Sequence, residues 1–428
     1  MIEPYNSLLL KQPNTMIPFH GYYLKKKKQV ERTEPIQALH NLIQPRLKIA
    51  LVAETWLPER NGVTHSLLEL CKGLQKLGHQ ILLIRPEQKT VYTDFQPDQE
   101  LLIKVQRLPQ YQGLQFGCSQ YSALQHAIVR FQPDVIHIVT EGPLGFIAQQ
   151  IARAHRIAVS SGFHSPFQDF SRFFDLAFLL KPVQHYLKWF HNQSNLTIVP
   201  SRAAAQALRN LGVHCPLSIV SRGVDTAQFS PSHRSNELRS RWGVSDQTRV
   251  LLYVGRLCSE KHVDVIMQAY FSLRDLCDQD VRLVIVGDGP DKERLERLNY
   301  DNSVIFTGTL GGKNLLEAYA SSDVFCCASQ VESFGNVILE AMASGLPVIA
   351  YDYACAHLHV REHDSGWLAP RGNQFEFIKK VLNLPAMCVL KRAGIQAQKT
   401  ARHIGWQYPV QQFEQALYEL NHAKVFQA

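Results

Sequence analysis

Two glutamates bracket the segment Glu332-Ser333-Phe334-Gly335-Asn336-Val337-Ile338-Leu339-Glu340, in which a loop runs into a helix. The first amides of a helix have no intrahelical acceptor, so Gly335, Asn336 and Val337 present donors suited to a phosphate. Glu340 falls about two turns along, near the face of Glu332. Carboxylates accept hydrogen bonds from sugar and ribose hydroxyls in fixed geometry, so the pair could bracket a ligand whose diphosphate sits on the helix end. Taken alone, the same residues also fit a glutamate that favours the helix dipole and a second that is merely solvated. Another segment, Tyr253-Val254-Gly255-Arg256-Leu257-Cys258-Ser259-Glu260-Lys261, leaves a strand for a loop carrying two cations. If they converge on a diphosphate, Arg256 and Lys261 would neutralise the charge of a departing nucleotide. If they do not, they are ordinary surface ion-pair formers.

These side chains need a frame, and the chain supplies one twice. The strand pattern Leu47 to Ala53 leads through a polar, glycine-containing loop to a helix whose apolar positions Leu67, Leu70, Cys71, Leu74 and Leu77 recur at helical spacing until Gly78. Further strands follow at Gln80 to Ile84, Asp134 to Val139 and Leu217 to Val220. After a polar stretch from Thr226 to Gln247 that reads as a linker, the pattern restarts. Strands are expected at Arg249 to Val254, Val281 to Val286, Val304 to Thr307, Val324 to Ala328 and Pro347 to Tyr351, with helices between them. Alternation of this kind implies α/β architecture with two doubly wound parallel sheets, and a ligand cleft where their carboxyl ends meet.

Length and composition agree with this frame. At 428 residues the chain is long enough for two domains of roughly 150 to 200 residues each. Hydrophobic residues make up 45% and charged residues 19%, the balance of a globular protein without extensive disorder. The apolar runs are strand-length, far short of the ~20 residues a membrane-spanning helix needs. The start of the chain lacks the basic region, apolar core and cleavage site of a signal peptide. Nine scattered cysteines without a Cys-x-x-Cys pairing read as buried thiols in a reducing compartment, so a cytoplasmic protein is expected. Part of the net charge of +8 is local: residues 1–45 hold six Lys/Arg against three Glu, which suits either a solvated, weakly ordered extension or contact with an anionic surface. Between Phe173 and Phe190, Leu176, Ala177, Leu180, Val183 and Leu187 fall at helical spacing with Arg172, Lys181, Lys188 and His191 interspersed. That stripe fits buried core, or a basic amphipathic surface peripheral to the inner face of a membrane.

A resemblance rests on several motifs together: Glu54-Thr55-Trp56-Leu57-Pro58 with Asn61-Gly62-Val63, Thr140-Glu141-Gly142-Pro143-Leu144-Gly145, Phe163-His164, Arg222-Gly223-Val224-Asp225, Gly255-Arg256 with Lys261, and Glu332 with Glu340. Over residues 46 to 420 the chain resembles the retaining glycosyltransferases of family 4, with the GT-B fold. Within that family it resembles the branch of GDP-mannose-dependent α-mannosyltransferases and sulfoquinovosyltransferase-like enzymes. The resemblance implies an N-terminal Rossmann-like acceptor domain over 46–225, completed by the C-terminal helix 406–428, and a donor-nucleotide domain over 226–405. It also implies that Arg256 and Lys261 hold the donor diphosphate, that Glu332 touches the transferred sugar and that Glu340 holds the ribose. Gly62 would approach the phosphates from the other domain, where the lack of a side chain permits close backbone contact. Leu310 matches a position bordering the nucleobase, and His164 matches the active-site histidine, whose backbone carbonyl or ring faces the reacting sugar. The family often continues His-Thr-Asp-Phe where this chain reads His164-Ser165-Pro166-Phe167, so the acceptor contact differs here.

The implied reaction moves a sugar from a nucleotide-sugar donor, GDP-mannose favoured, to a lipid or glycan acceptor with retention. The nucleotide sugar is a substrate, and no cofactor or divalent metal is implied. His262, His357 and His359 form no ligand set in the sequence. A UDP-sugar-dependent enzyme acting on a glycerolipid is the nearest alternative. An NAD-dependent oxidoreductase also suits two Rossmann-like halves, but Gly287-Asp288-Gly289 runs into Pro290 and does not complete the dinucleotide fingerprint. A non-catalytic sugar-nucleotide-binding module is a third reading, separable from an enzyme only by turnover. Nucleic acid is not an expected partner.

Overall fold

The computed structural model describes residues 45–56, 62–87, 95–107, 115–117, 121–164, 180–277 and 280–425. The expected basic extension up to position 44 and the part of the apolar stripe between Arg172 and Ala177 lie outside them. The first sheet holds β1 (Lys48–Val52), β2 (Gln80–Pro86) and β3 (Gln99–Ile103). After a small antiparallel pair, β4 (Val105–Arg107) and β5 (Gln115–Gly117), it continues with β6 (Val135–Ile138), β7 (Ala158–Gly162), β8 (Leu196–Val199) and β9 (Leu217–Ile219). Its order is β3-β2-β1-β6-β7-β8-β9, parallel throughout. A second parallel sheet holds β10 (Arg249–Val254), β11 (Val281–Val286), β12 (Val304–Gly308), β13 (Val324–Cys327), β14 (Val348–Tyr351) and β15 (Gly366–Ala369), in the order β12-β11-β10-β13-β14-β15. Helices cover both faces of each sheet, which is why the central strands read as unbroken apolar runs: Ile49, Ala50, Leu51 and Val52 are all fully buried.

Each sheet reverses its strand order once, between β1 and β6 and between β10 and β13. Helices leave to opposite faces on the two sides of such a point, and the crevice between them is where an open α/β sheet binds ligands. The chain endings at the first reversal are knitted together by Glu54. Its backbone amide donates to Thr140 Oγ1 (3.3 Å), and its Oε1 accepts from the amide of Leu144 (2.7 Å) at the start of helix Pro143–Ala154. A carboxylate at a helix start satisfies an orphan donor and complements the dipole. A Cβ on Gly142 would collide with that carboxylate, so the Glu-Gly-Pro sequence there is a packing requirement.

The final helix, Gln407–Val425, lays Val410, Phe413, Leu417 and Leu420 into the core of the first sheet, among residues of β1 and of helix Gly62–Lys76. Gly73 is its contact point: a Cβ there would lie 2.7 Å from Val410 Cγ1. The polar stretch Thr226–Gln247 is not the linker its composition suggests. Phe229 and Trp242 are buried in the core of the second sheet. Arg239, 2% exposed, donates to Ser321 O (2.8 Å), Asp323 Oδ2 (3.0 Å) and Thr248 O (2.8 Å). One charge in that stretch is thus a buried guanidinium with several partners, which composition cannot distinguish from a solvated one. Cysteines 71, 215, 258, 326, 327 and 355 are buried free thiols, and Cys388 is exposed.

One polar contact ties the terminal helix to the first sheet. His79 Nδ1 accepts from the amide of Leu47 (3.0 Å), so the ring hydrogen sits on Nε2 and donates to Glu414 Oε1 (2.9 Å). Both side chains are nearly inaccessible. Glu414→Ala strands that donor and is expected to cost about 1–3 kcal/mol in denaturant unfolding. Unchanged stability would show that the contact contributes nothing to holding the helix.

Candidate functional site

The loops that leave β10 and β13 lie side by side at the second reversal point, and they carry the candidate residues. Gly255 follows β10 with φ 157°, and the chain passes through Arg256 into the short turn Ser259–Lys261. Gly287 and Gly289, in the loop after β11, press directly on the backbone of Gly255 and Leu257, where a Cβ would collide. The glycines therefore serve close loop packing, with Leu257 N donating to Asp288 O (2.9 Å). Lys261 Nζ reaches across to Glu332 Oε1 (2.6 Å) and to Val331 O (3.3 Å). Burial lowers the Lys261 ammonium, but the charge and hydrogen bond of Glu332 outweigh it and hold the group above its ordinary value. Arg256, on the same loop as Lys261, is exposed. Tyr353 donates its hydroxyl to Glu332 O (3.1 Å), and the Arg371 guanidinium stacks 3.8 Å from the Tyr353 ring centroid.

Helix Asn336–Ala343 begins directly after this loop. Gly335 precedes it with φ 97°, a conformation glycine adopts without strain, and no side chain caps the helix. The amide end faces the other half of the molecule. Asn336 Nδ2 donates to Ser66 Oγ (3.2 Å), and that hydroxyl donates to Gly62 O (2.7 Å) at the start of helix Gly62–Lys76. A Cβ on Gly62 would stand 3.8 Å from Asn336 Nδ2. Gly62, Gly335, Asn336 and Val337 are thereby brought together, while the motif residues Leu57, Pro58 and Asn61 lie outside the described residues. Glu340 lies just over one turn into this helix, not the two turns expected from the sequence, and accepts from the Tyr319 hydroxyl (2.9 Å) at Oε2. Burial raises its carboxyl; His65, on the facing helix, and the Tyr319 hydrogen bond work in the opposite direction. Leu310 follows Gly308 and packs, half-buried, on the edge of the second core.

His164 follows β7 and lines a pocket shared by both halves, with Phe163, Ser201 and Ala204 on its side and Glu332, Ser333, Tyr353 and Arg371 opposite. Its Nδ1 lies 2.8 Å from Arg222 Nη2. The sequence motif pointed to Arg222 without giving it a role, and neither Tyr319, Ser66, Tyr353 nor His65 carried a signal in one dimension. The described part of the apolar stripe is core at Leu187 and Phe190, while Lys181, Lys188 and Trp189 face outward. Among the described residues no three His, Cys, Asp or Glu side chains converge as metal ligands. The sequence has one Asp-x-Asp, Asp278-Gln279-Asp280, and Asp280 lies at the amino edge of the second sheet, accepting from Thr248 (2.8 Å), opposite the crevice. The arrangement is suited to a phosphate at the helix end, with the paired Lys261 and Glu332 before it and a second carboxylate, Glu340, within the helix.

Known proteins share both the sequence and the shape. The family model Glycosyltransferase Family 4 matches residues 60–228, and the model Glycosyl transferases group 1 matches residues 234–388. The GDP-mannose-dependent alpha-mannosyltransferase of Mycobacterium tuberculosis is 32% identical over 375 residues, 85% of this chain and 94% of that protein. An alpha-monoglucosyldiacylglycerol synthase of Streptococcus pneumoniae is 29% identical over 320 residues, 71% of each. The structure of sucrose-phosphate synthase from Thermosynechococcus elongatus superposes with a TM-score of 0.72 at 18% identity, covering 88% of this chain and 100% of that one.

Burial makes the Glu340 carboxylate costly in the ligand-free protein. Its folded value is raised, so the cost is present above the ordinary value of 4.5 and is relieved as pH falls. Glu340→Gln should therefore raise the melting temperature of the free protein at pH 7, with the difference shrinking towards pH 4. A lower melting temperature at both pH values would show that the carboxylate is stabilising.

Proposed function

The chain belongs to glycosyltransferase family 4, and from that premise we propose that it transfers mannose from GDP-mannose, with retention, to a lipid or glycan acceptor. The observation that carries this reading is the uncapped start of helix Asn336–Ala343 at the strand-order reversal, flanked by Lys261, Glu332 and Glu340 and met by Gly62 from the other half. The choice of donor is supported by the mycobacterial relative, over nearly its whole length. In this reading residues 46–225 with the helix 406–428 form the acceptor domain, and 226–405 the donor-nucleotide domain. Arg256 and Lys261 balance the diphosphate as it departs, the amides of Gly335, Asn336 and Val337 receive its oxygens, Glu332 holds hydroxyls of the transferred sugar and Glu340 holds the ribose. Leu310 borders the base.

Departure and attack then occur on one face of the sugar, and the leaving phosphate takes the proton of the acceptor hydroxyl. Such a reaction is accelerated by charge stabilisation and positioning, which this set of residues supplies without a metal. A lipid acceptor is supported by the diacylglycerol-linked relative and by an outward aromatic pair, Phe146 and Trp189, each 39% exposed with ring centroids 5.8 Å apart, beside the exposed Lys181 and Lys188. No described helix is long and apolar enough to cross a membrane, so a lipid acceptor would be met at a bilayer surface.

In a thermal-shift titration GDP-mannose or GDP at 100 times its Kd should add ~2.7 kcal/mol of stability. Stabilisation by UDP but not GDP would overturn the donor, and stabilisation by NAD alone would overturn the reaction class. Arg256→Ala and Lys261→Ala should each lower kcat/KM by ~10²-fold in a folded protein, and near-wild-type transfer by either would remove that residue from the site. In co-sedimentation with anionic vesicles at low salt, the protein should bind and Trp189→Ala should weaken binding several-fold. Equal sedimentation of both proteins, or none of either, would overturn membrane contact through this pair.

A further inference from the structure

The hydrogen on the His164 ring can be placed from its partner. The guanidinium of Arg222 can donate but not accept, and Nη2 stands 2.8 Å from His164 Nδ1. Nδ1 is therefore the acceptor, and the ring hydrogen sits on Nε2. Arg222 is 6% exposed and belongs to the segment after β9, so the cation comes from behind the ring while the crevice lies in front. Gly162 completes the seat: a Cβ there would lie 2.5 Å from Nε2 and 2.9 Å from Val139 O, so any side chain would displace the ring.

We propose that Arg222 is a positioning residue that locks His164 as a neutral imidazole carrying its hydrogen on Nε2. In that state the unprotonated nitrogen is occupied by Arg222 and the other already carries a hydrogen, so the ring cannot take a proton from a hydroxyl. The proton of the acceptor hydroxyl must then leave by another group, which in the reading above is the departing phosphate; the catalytic meaning of the lock rests on that reading, but the lock itself does not.

The surroundings act in the same direction. Burial, then Arg222, His137 and His191, hold the His164 ring well below its ordinary 6.5. His137 Nδ1 lies 2.9 Å from Ser160 Oγ, and burial with Arg222 pushes that ring down to about 3. Burial lowers Arg222 to about 10, so it remains a cation at neutral pH. Across the crevice His164 faces Glu332, Tyr353 and Arg371, and behind it His191 stands 3.2 Å from Glu141, outside hydrogen-bonding geometry.

The test is histidine-selective ¹⁵N NMR of the full chain between pH 5 and 8, with His164→Gln used to assign the signal. In the wild type, His164 should show the Nε2–H tautomer and stay neutral at pH values where exposed histidines protonate. In Arg222→Met, which keeps length but has no donor, the tautomer should be released and the titration should move up towards 6.5. In the transfer assay, Arg222→Met should lower kcat roughly ten-fold with little change in the KM for the donor, and Arg222→Lys, which restores a donor, should recover part of it. A wild-type His164 that carries its hydrogen on Nδ1, or that titrates near 6.5, overturns the proposal without any variant. A folded Arg222→Met with unchanged tautomer and pH profile also overturns it. A confirmed lock in a protein that transfers no mannose would leave it standing and sink the donor assignment instead.

Discussion

The ion pair between Lys261 and Glu332, 2.6 Å long, spans the point where the second sheet reverses its strand order, and the crevice takes its shape from it. The two residues leave neighbouring strands but stand far apart in the chain, and their pairing joins the two loops alongside the backbone bond from Gln330 N to Glu260 O (3.2 Å). Their side chains are 19% and 17% exposed, and an ion pair shielded to that degree is stronger than a solvated one. It presents the carboxylate at a defined angle to the start of helix Asn336–Ala343. Tyr353 holds the same loop through Glu332 O, and the stacked Arg371 holds Tyr353. The carboxylate is thus set by a chain of contacts reaching to the loop after β15.

Charges inside the molecule fall into two kinds. Structural ones are held by several partners at once: Arg239 and Asp323 use several backbone groups as well as each other, and His79 sits between Leu47 and Glu414. Those of the crevice keep spare capacity. The helix end at Gly335 carries no side-chain cap, and Glu340, half-buried, accepts from the Tyr319 hydroxyl at Oε2. Buried groups with fewer partners than they could use raise the free energy of the empty protein, and a ligand with complementary atoms relieves it. Stability given up at such positions is the usual signature of a binding site.

The two halves are joined by the terminal helix and by a short polar relay. Asn336 to Ser66 to Gly62 links the helix end of one half to the glycine of the other. The terminal helix packs on the first sheet through Val410 and Phe413, and Phe413 meets His137 edge-on at 4.9 Å. Residues that shape the rear of the His164 pocket therefore come from β6, from the segment after β9 and from the last helix of the chain.

Much of this was legible in the sequence. Strands buried on both faces leave unbroken apolar runs, as at Ile49 to Val52, and helix ends leave glycines, so the two parallel sheets and the loops bearing Arg256, Lys261, Glu332 and Glu340 could be placed from one dimension. The linker at Thr226–Gln247 could not, because composition does not report that Arg239 is buried against Asp323. Nor could the partners of the site residues be read. Tyr319 with Glu340, Ser66 with Asn336, and Arg222 with His164 each join elements distant in sequence, and a hydrogen bond depends on where two atoms stand. The sequence by itself determined which chemical groups the crevice contains. Only the tertiary structure decided which are paired, which are left to a ligand and on which nitrogen His164 carries its hydrogen, because strand order brings together residues whose spacing along the chain carries no trace of the contact.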